Sequence, residues 1–491
     1  MSAFGWKLKG DGRAIPEGEV VAPGERLSWP RTIGLGAQHV FAMFGATFVF
    51  PIIMGLNPQY AVMMSGFATI MFLLIVNGKI PSYLGTSASL VGAVTAIRAQ
   101  GGDSAEVTGG FLAAGVLLAI VGVIVHFAGG GIVAKVLPPA VTGGVVMLIG
   151  FNLAPVVASA YWPKDQWTAV LVMIFVTVFA VAVKGFWSRI AIFLGLIFGV
   201  LISWLFDSVF GKISETAADG TVSKVWRLDF SSVSSAHWFG FPTDITTQSG
   251  VLTGPHLPTF SATAILLVVP GVIALIAENT GHVKAVSEMT GENLDPYLGR
   301  GFIGDGVATT IAGFIGASPT TTYAENIGVM AATKVYSTAA YYVAAIVAIL
   351  FGFSPKFGAA VSSVPPGVLG GITVILYGMI GLLGAKIWVE SGVNFGAPQN
   401  LVPLSAGIII GVGNVAIIFT KDFEISGIAL GTIVLVVLYH LCRWIAPHLR
   451  KEEQARGKAY AGGAGINAGD VYDSSGQIPS NRGQDVEPDL K

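Results

Sequence analysis

Three side chains in this sequence place an ionisable group where the surrounding residues are too apolar to solvate it. Glu278 and His282 lie in "LIAENTGH" (275–282), and Glu325 lies in "SPTTTYAENIGVMAATKVYS" (318–337). An ionised side chain at the centre of a membrane span costs at least about 2.5 kcal/mol, so it points by default to a function. Glu278 and His282 are four positions apart, share one helix face and are placed to pair and to exchange a proton. The plainer alternative is a structural polar pair that ties two helices together. Glu325 resists that reading, because the Ser, Thr and small residues around it describe a broken segment. The backbone groups freed in such a segment must face protein, water or ligand.

Two carboxylates beside freed backbone N–H groups offer both acceptors and donors, the arrangement that discontinuous helices supply in transporters. A planar nucleobase such as uracil, with ring N–H donors and carbonyl acceptors, matches that lining. An inorganic anion would meet two like charges.

The elements that must hold these residues are membrane spans. Of 491 residues 53% are hydrophobic and only 11% charged, less than half the roughly 25% charged residues of soluble domains. The formal net charge of −1 gives no field suited to nucleic acid, and the single cysteine, Cys442, excludes a disulfide or a cysteine-cluster metal site within one chain. Motifs for phosphate cradling, hydrolytic triads or CxxC metal binding are absent, so neither a cofactor nor a metal nor an enzymatic activity is expected.

A helix needs about 20 apolar residues to span the hydrocarbon core. Runs of that kind fall at 33–54, 60–78, 84–98, 108–128, 136–156, 167–183, 190–210, 260–283, 298–317, 321–334, 336–353, 366–385, 400–419 and 424–446. Two of these fourteen, 84–98 and 321–334, are short and rich in Gly, Ser, Thr and Ala, and read as broken helices. Lys79, Lys135, Lys184, Lys284, Lys334 and Lys386 follow even-numbered spans, which places both termini in the cytoplasm of a multi-pass plasma-membrane protein. Residues 1–31 then form a cytoplasmic tail with no cleavable signal peptide. Residues 211–258 form an extracellular loop with local structure around "HWFGFP", and 447–491, polar and rich in Gly, Ser and Asp, a disordered cytoplasmic tail.

The two broken segments are related. "GKIPSYLGTSASLVGAV" (78–94) and "GASPTTTYAENIGVMAA" (316–332) share a Pro, a hydroxyl-rich turn, a Tyr and a Gly/Ala-rich continuation. Pro81 follows Gln38 of "GAQHVFAMFGAT" by 43 positions, and Pro319 follows Glu278 by 41. The spacing predicts two seven-span repeats, 32–210 and 259–446; since seven is odd, the second is inverted. His39, beside Gln38, is either a packing element or a ligand, and Ala46, with Gly45 beside it, allows close backbone approach.

The strings "QHVFAMFGAT", "GKIPSYLGTSAS", "IALIAENTGH" and "SPTTTYAENIGVMAATKVYS" resemble, in order from about Pro30 to Trp444, the nucleobase–ascorbate transporter family (nucleobase:cation symporter family 2), in its bacterial uracil/xanthine permease branch. The resemblance implies an all-α fold of fourteen spans in two inverted repeats. Spans 3 and 10 would be broken by short strands, with a core domain (spans 1–4 and 8–11) working against a gate domain (spans 5–7 and 12–14) in a homodimer. It implies Glu278 and Glu325 as substrate ligands, His282 with Glu278 as the proton-coupling pair, and Ala324, Ala88 and Ala46 as residues lining the base. Gln38, His39 and Tyr323 are further candidates. Uracil permeases of this type read Y-L-G-S-S-F-A-F where this chain reads Tyr83 to Leu90 with Ala88 at the aromatic position, and a glycine where it has Ala324. A pocket widened in this way admits xanthine or another purine besides uracil. The expected activity is proton-coupled nucleobase import by alternating access. The alternatives are a Na⁺-coupled purine or urate permease and an anion exchanger or channel of the same architecture.

Overall fold

The computed structural model describes residues 5–16, 18–216, 222–247, 250–420 and 423–447; the predicted C-terminal tail lies almost wholly outside them. In a bilayer every backbone polar group must be satisfied internally, and the apolar runs accordingly form helices. These are α1 (Trp29–Met54), α2 (Pro58–Ile75), α3 (Val91–Ala99), α4 (Ser104–Ala128), α5 (Pro139–Asn152), α6 (Gln166–Ala182) and α7 (Ala191–Phe210) in the first half. After the loop come α8 (Ala262–Thr290), α9 (Leu298–Phe314), α10 (Ala324–Thr333), α11 (Thr338–Gly352), α12 (Pro355–Ser362), α13 (Pro366–Glu390), α14 (Pro398–Val412) and α15 (Gly427–Ile445). Side-chain caps start several of them: Asn57 accepts from the Tyr60 N–H, Asp103 from Glu106, and Asp165 from Thr168. Among the described residues eight helices are long and apolar enough to cross a membrane, nine if α11 and α12, bent by 85°, count as one span.

The segment expected as a span over 400–419 is shorter. Helix α14 stops at Val412, and the chain turns through Asn414, at φ 50°, into an antiparallel hairpin of Ala416–Thr420 and Phe423–Ser426. The hydropathy of "AIIFT" is as high as that of a helix, but its branched and aromatic residues suit a strand equally well.

The helices pack mainly within two groups. One joins α1–α4 with α8–α11, and the other joins α5–α7 with α13–α15. Fewer contacts run between the groups, chiefly from α8 to α5 and α15 and from α1 to α7. The tightest pair, α4 and α9, meets along glycines: a Cβ on Gly115 would lie 2.7 Å from the Gly306 carbonyl oxygen, and one on Gly313 would lie 2.7 Å from that of Thr108. Without a hydrophobic force between helices in lipid, such close backbone approach supplies the attraction.

Both broken segments contain a strand. β1 (Leu84–Thr86) pairs antiparallel with β2 (Thr320–Thr322), Leu84 opposite Thr322 and Thr86 opposite Thr320. Flanking bonds from the Ser87 N–H to the Pro319 carbonyl and from the Tyr323 N–H to the Tyr83 carbonyl, each 2.9 Å, extend the ribbon. α3, after a 3₁₀ turn at Ala88–Leu90, leaves one end of this ribbon, and α10 leaves the other. The chain before α1 also forms contacts: Lys7–Leu8 pairs with Glu25–Arg26, and Val21 packs against Val335, between α10 and α11.

The loop between α7 and α8 carries two short hairpins and a five-residue helix. Its Arg227 is nearly buried, with Nε 2.7 Å from Asp165 Oδ2 and Nη1 3.1 Å from Asp207 Oδ1. Further along, Asn57 donates to the Thr243 carbonyl, and Ser104 Oγ to that of Leu252. One end of the loop is thus fixed to α6 and α7 and the other to α2 and α4.

Candidate functional site

A three-residue ribbon spans about 7–10 Å at roughly 3.3 Å per residue, and four residues of the neighbouring helix α8 rise about 6 Å. Residues four apart on α8 therefore face opposite ends of the ribbon. At the first end, Glu278 Oε2 accepts from Ser89 Oγ in the turn before α3, at 2.9 Å. At the second, His282 Nδ1 lies 2.8 Å from Thr322 Oγ1 in β2. The expected pairing of Glu278 with His282 is not made: among the described residues no hydrogen bond or ion pair joins them, since each side chain reaches across to a different strand segment.

Glu325 opens α10, whose first turn has no side-chain cap, so the free N–H groups and the positive end of the helix dipole lie beside its carboxylate. Glu325 thus lies just beyond the Thr322 end of the ribbon and Glu278 at its Thr86 end. Around these groups there is room. Glu278, His282 and Glu325 are each partly accessible, Ala324 is exposed, and nothing lies within 4 Å of where a Cβ on Gly281 would be.

The remaining sequence candidates have distinct positions. Ala46 and Ala88 are buried, Ala88 in the 3₁₀ turn beside Ser89. Tyr323 is committed to the scaffold: its hydroxyl donates to the Thr86 carbonyl at 2.8 Å and accepts from Thr47 Oγ1 at 3.2 Å, which ties α1 and both strands together. Its ring lies against Gly85, where a Cβ would come within 2.4 Å of it. His39 is buried, takes the Asn326 side chain on its carbonyl and Nδ1, and lies 4.3 Å from the Tyr341 ring. It supports the residue after Glu325 from behind, as a packing element would. Gln38 Oε1 is buried and, among the described residues, has no hydrogen-bond partner.

Two further polar residues belong to the site. Asp305, fully buried in α9, accepts from Asn279 Nδ2 at 2.7 Å and from Thr320 Oγ1 at 3.1 Å. Asn279 also donates to the Leu275 carbonyl at 3.0 Å and accepts from Thr322 Oγ1 at 2.9 Å. Asp305 was missed in the sequence, although the rule that singled out Glu325 applies equally to an acid within "RGFIGDGVATTIAG" (300–313).

Among known proteins, solved structures share the fold at low identity. The transmembrane domain of the cyanobacterial bicarbonate transporter BicA aligns with TM-score 0.52 and 13% identity over 83% of this chain and 96% of its own. The overall structure of SLC26A9 aligns with TM-score 0.54 and 11% identity over 84% of this chain and 64% of its own. Fold and apolar helices together define a multi-pass membrane protein. The model of the permease family (Xan_ur_permease) matches residues 30–420. The protein named "Putative pyrimidine permease RutG" of Escherichia coli K12 is 40% identical over 451 residues, 89% of this chain and 95% of its own. The uracil permeases of Bacillus caldolyticus and E. coli K12 are each 36% identical, over 83% and 87% of this chain and 90% and 95% of theirs. The chain belongs to this permease family, the nucleobase–ascorbate transporters.

Proposed function

We propose that the protein is a secondary active transporter that imports a nucleobase, uracil or a larger base such as xanthine, together with a proton. The observation that carries this reading is that Glu278, held by the turn after β1, and Glu325, in the uncapped first turn of the helix after β2, flank one strand ribbon. A carboxylate accepts a ring N–H, and backbone N–H groups donate to ring carbonyls, so one flat polar molecule satisfies both. An anion would face two carboxylates, which sets this site apart from that of an anion exchanger. The names of the uracil permease relatives support the same substrate class.

In this reading the fourteen apolar segments form two inverted seven-span repeats. The group containing the ribbon is a core that carries the base past the α5–α7/α13–α15 group, the gate, through which two copies associate. A cavity of about 430 Å³ between the ends of α1 and α3 and residues 156–164 leaves space between the groups for such movement. His282 and Glu278 hold the coupled proton; sodium would need a cage of several oxygens. The test is uptake of labelled uracil and xanthine into cells lacking their own permeases, with and without a protonophore. Uptake abolished by the protonophore and independent of sodium is the expected result; sodium dependence, or no nucleobase uptake, would overturn it.

A further inference from the structure

The polar chain behind His282 fixes where its protons lie. Asn279 Nδ2 faces two acceptors, the Leu275 carbonyl at 3.0 Å and Asp305 Oδ2 at 2.7 Å, so its amide cannot be reversed and Oδ1 must point at Thr322. An amide oxygen cannot donate, so the Thr322 hydroxyl spends its only hydrogen on Asn279, at 2.9 Å. Toward His282 the Thr322 oxygen can then only accept. The imidazole hydrogen therefore sits on Nδ1, 2.8 Å away, and the ring lone pair sits on Nε2. Among the described residues Nε2 makes no hydrogen bond, and the ring is partly accessible beside the open space at Gly281.

We propose that Asn279 and Thr322 are positioning residues that hold His282 as the Nδ1–H tautomer, so that Nε2 is the atom that takes up the transported proton from the substrate cavity. The proton passes from a hydronium ion in the cavity to the Nε2 lone pair: the hydronium O–H bond breaks to leave water, an Nε2–H bond forms, and the imidazolium keeps its Nδ1–H on Thr322. With the other tautomer the lone pair would face Thr322, and the nitrogen open to the cavity would already carry a hydrogen. This rests on the proton-coupled reading above.

The ionisable groups that bear on this ring come from several elements. Glu278 lies on α8 itself, Asp305 on α9, and Tyr323 and Glu325 at the start of α10. Of the other elements packed on α8, α5 has none. α3 has Arg98 and α4 has Glu106 and His126, all at helix ends; α9 adds Arg300 in its first turn, and α15 has Tyr439, His440, Cys442 and Arg443 in its last turns.

The experiment compares wild type with Thr322→Val, which keeps the shape and removes the hydroxyl, and with Thr322→Ser, which restores it. Net uptake is read at acidic and neutral external pH, and exchange of labelled for unlabelled base at one pH. In Thr322→Val the acid-to-neutral uptake ratio should fall toward one while exchange persists, and Thr322→Ser should recover the ratio. An unchanged ratio, or uptake and exchange falling together, would overturn the assignment. Should the Val variant not fold, imidazole ¹⁵N spectra of labelled wild-type protein decide it: a protonated Nδ1 with a bare Nε2 is expected, and the reverse refutes it. A wild type that moves no nucleobase would refute the transport reading instead, and the spectra would still decide the tautomer.

Discussion

Ser89 Oγ donates to Glu278 Oε2 across 2.9 Å, although 189 positions separate the two residues in the chain. The bond brings the first broken segment to α8, the helix that also holds His282 against the second. Ribbon, α8 and the start of α10 are therefore one unit: Glu325 follows the ribbon at its Thr322 end, while Glu278 is held from the opposite end.

Glu325→Gln nearly preserves size but replaces a charged acceptor by a neutral amide. A hydrogen bond to a charged group contributes about 1.5–3 kcal/mol, so equilibrium binding of the transported base to the purified variant should weaken by that amount, roughly tenfold to a hundredfold. Wild-type affinity in a calorimetric titration would remove Glu325 from the site.

Much of this arrangement was legible in residue type and spacing, because the bilayer makes polarity informative: an acid in an apolar run cannot be incidental. The two hydroxyl-rich segments announced the break, and their similar offsets from Gln38 and Glu278 announced that they belong together. What spacing could not give was partnership. Glu278 and His282, four apart, looked like a pair, yet a helix face shared at i and i+4 is also shared with whatever packs on it, and there Ser89 and Thr322 compete successfully. Asn279 was passed over as an ordinary neighbour, and only the three-dimensional meeting of α8, α9 and β2 shows it joining Asp305 to Thr322. The hairpin after Val412 was hidden because hydropathy does not distinguish an apolar strand from the end of an apolar helix.

Gly85 is required by contact. A Cβ there would lie 2.4 Å from one atom of the Tyr323 ring, 2.5 Å from a second, and 2.7 Å from Thr47 Oγ1. The ring cannot swing away without giving up its bond to the Thr86 carbonyl. Overpacking of this kind costs about 1–3 kcal/mol, so Gly85→Ala should lower both the unfolding temperature in detergent and the affinity for base. Gly34→Ala, with nothing within 4 Å of its Cβ position, is the control and should change neither. Equal stability of the two variants would show that the ribbon yields.

Arg227 holds Asp165 and Asp207 with different nitrogens of one guanidinium, and its side chain is only 8% exposed. Asp165 also accepts from the Thr168 hydroxyl at 2.6 Å and caps α6. Removing one partner of a buried pair leaves uncompensated charge and costs about 3–5 kcal/mol. Arg227→Ala should therefore destabilise the protein by an amount of that order and expose the loop between α7 and α8 to protease. Arg227→Lys keeps the charge but cannot reproduce the fork, so it should recover only part of the loss. Protease resistance equal to wild type in Arg227→Ala would show that the loop is held by its other contacts alone.

The choice between one-ring and two-ring bases is expected to turn on Ala88. It sits in the 3₁₀ turn between β1 and α3, next to the serine that holds Glu278, at the position where uracil permeases of this type carry an aromatic residue. If Ala88 borders the base as proposed, it offers no flat surface for stacking, and the width it leaves would suit a purine. Ala88→Phe should fill that width and supply a ring, shifting preference toward uracil over xanthine by about 0.5–1.5 kcal/mol, the scale of an aromatic pair. Competition of the two bases for uptake by wild type and variant reads the shift directly. An unchanged ratio would mean that the width of the site is set on the α8 side, where the open space at Gly281 lies, and substitution of Gly281 by alanine would then be the change that moves it.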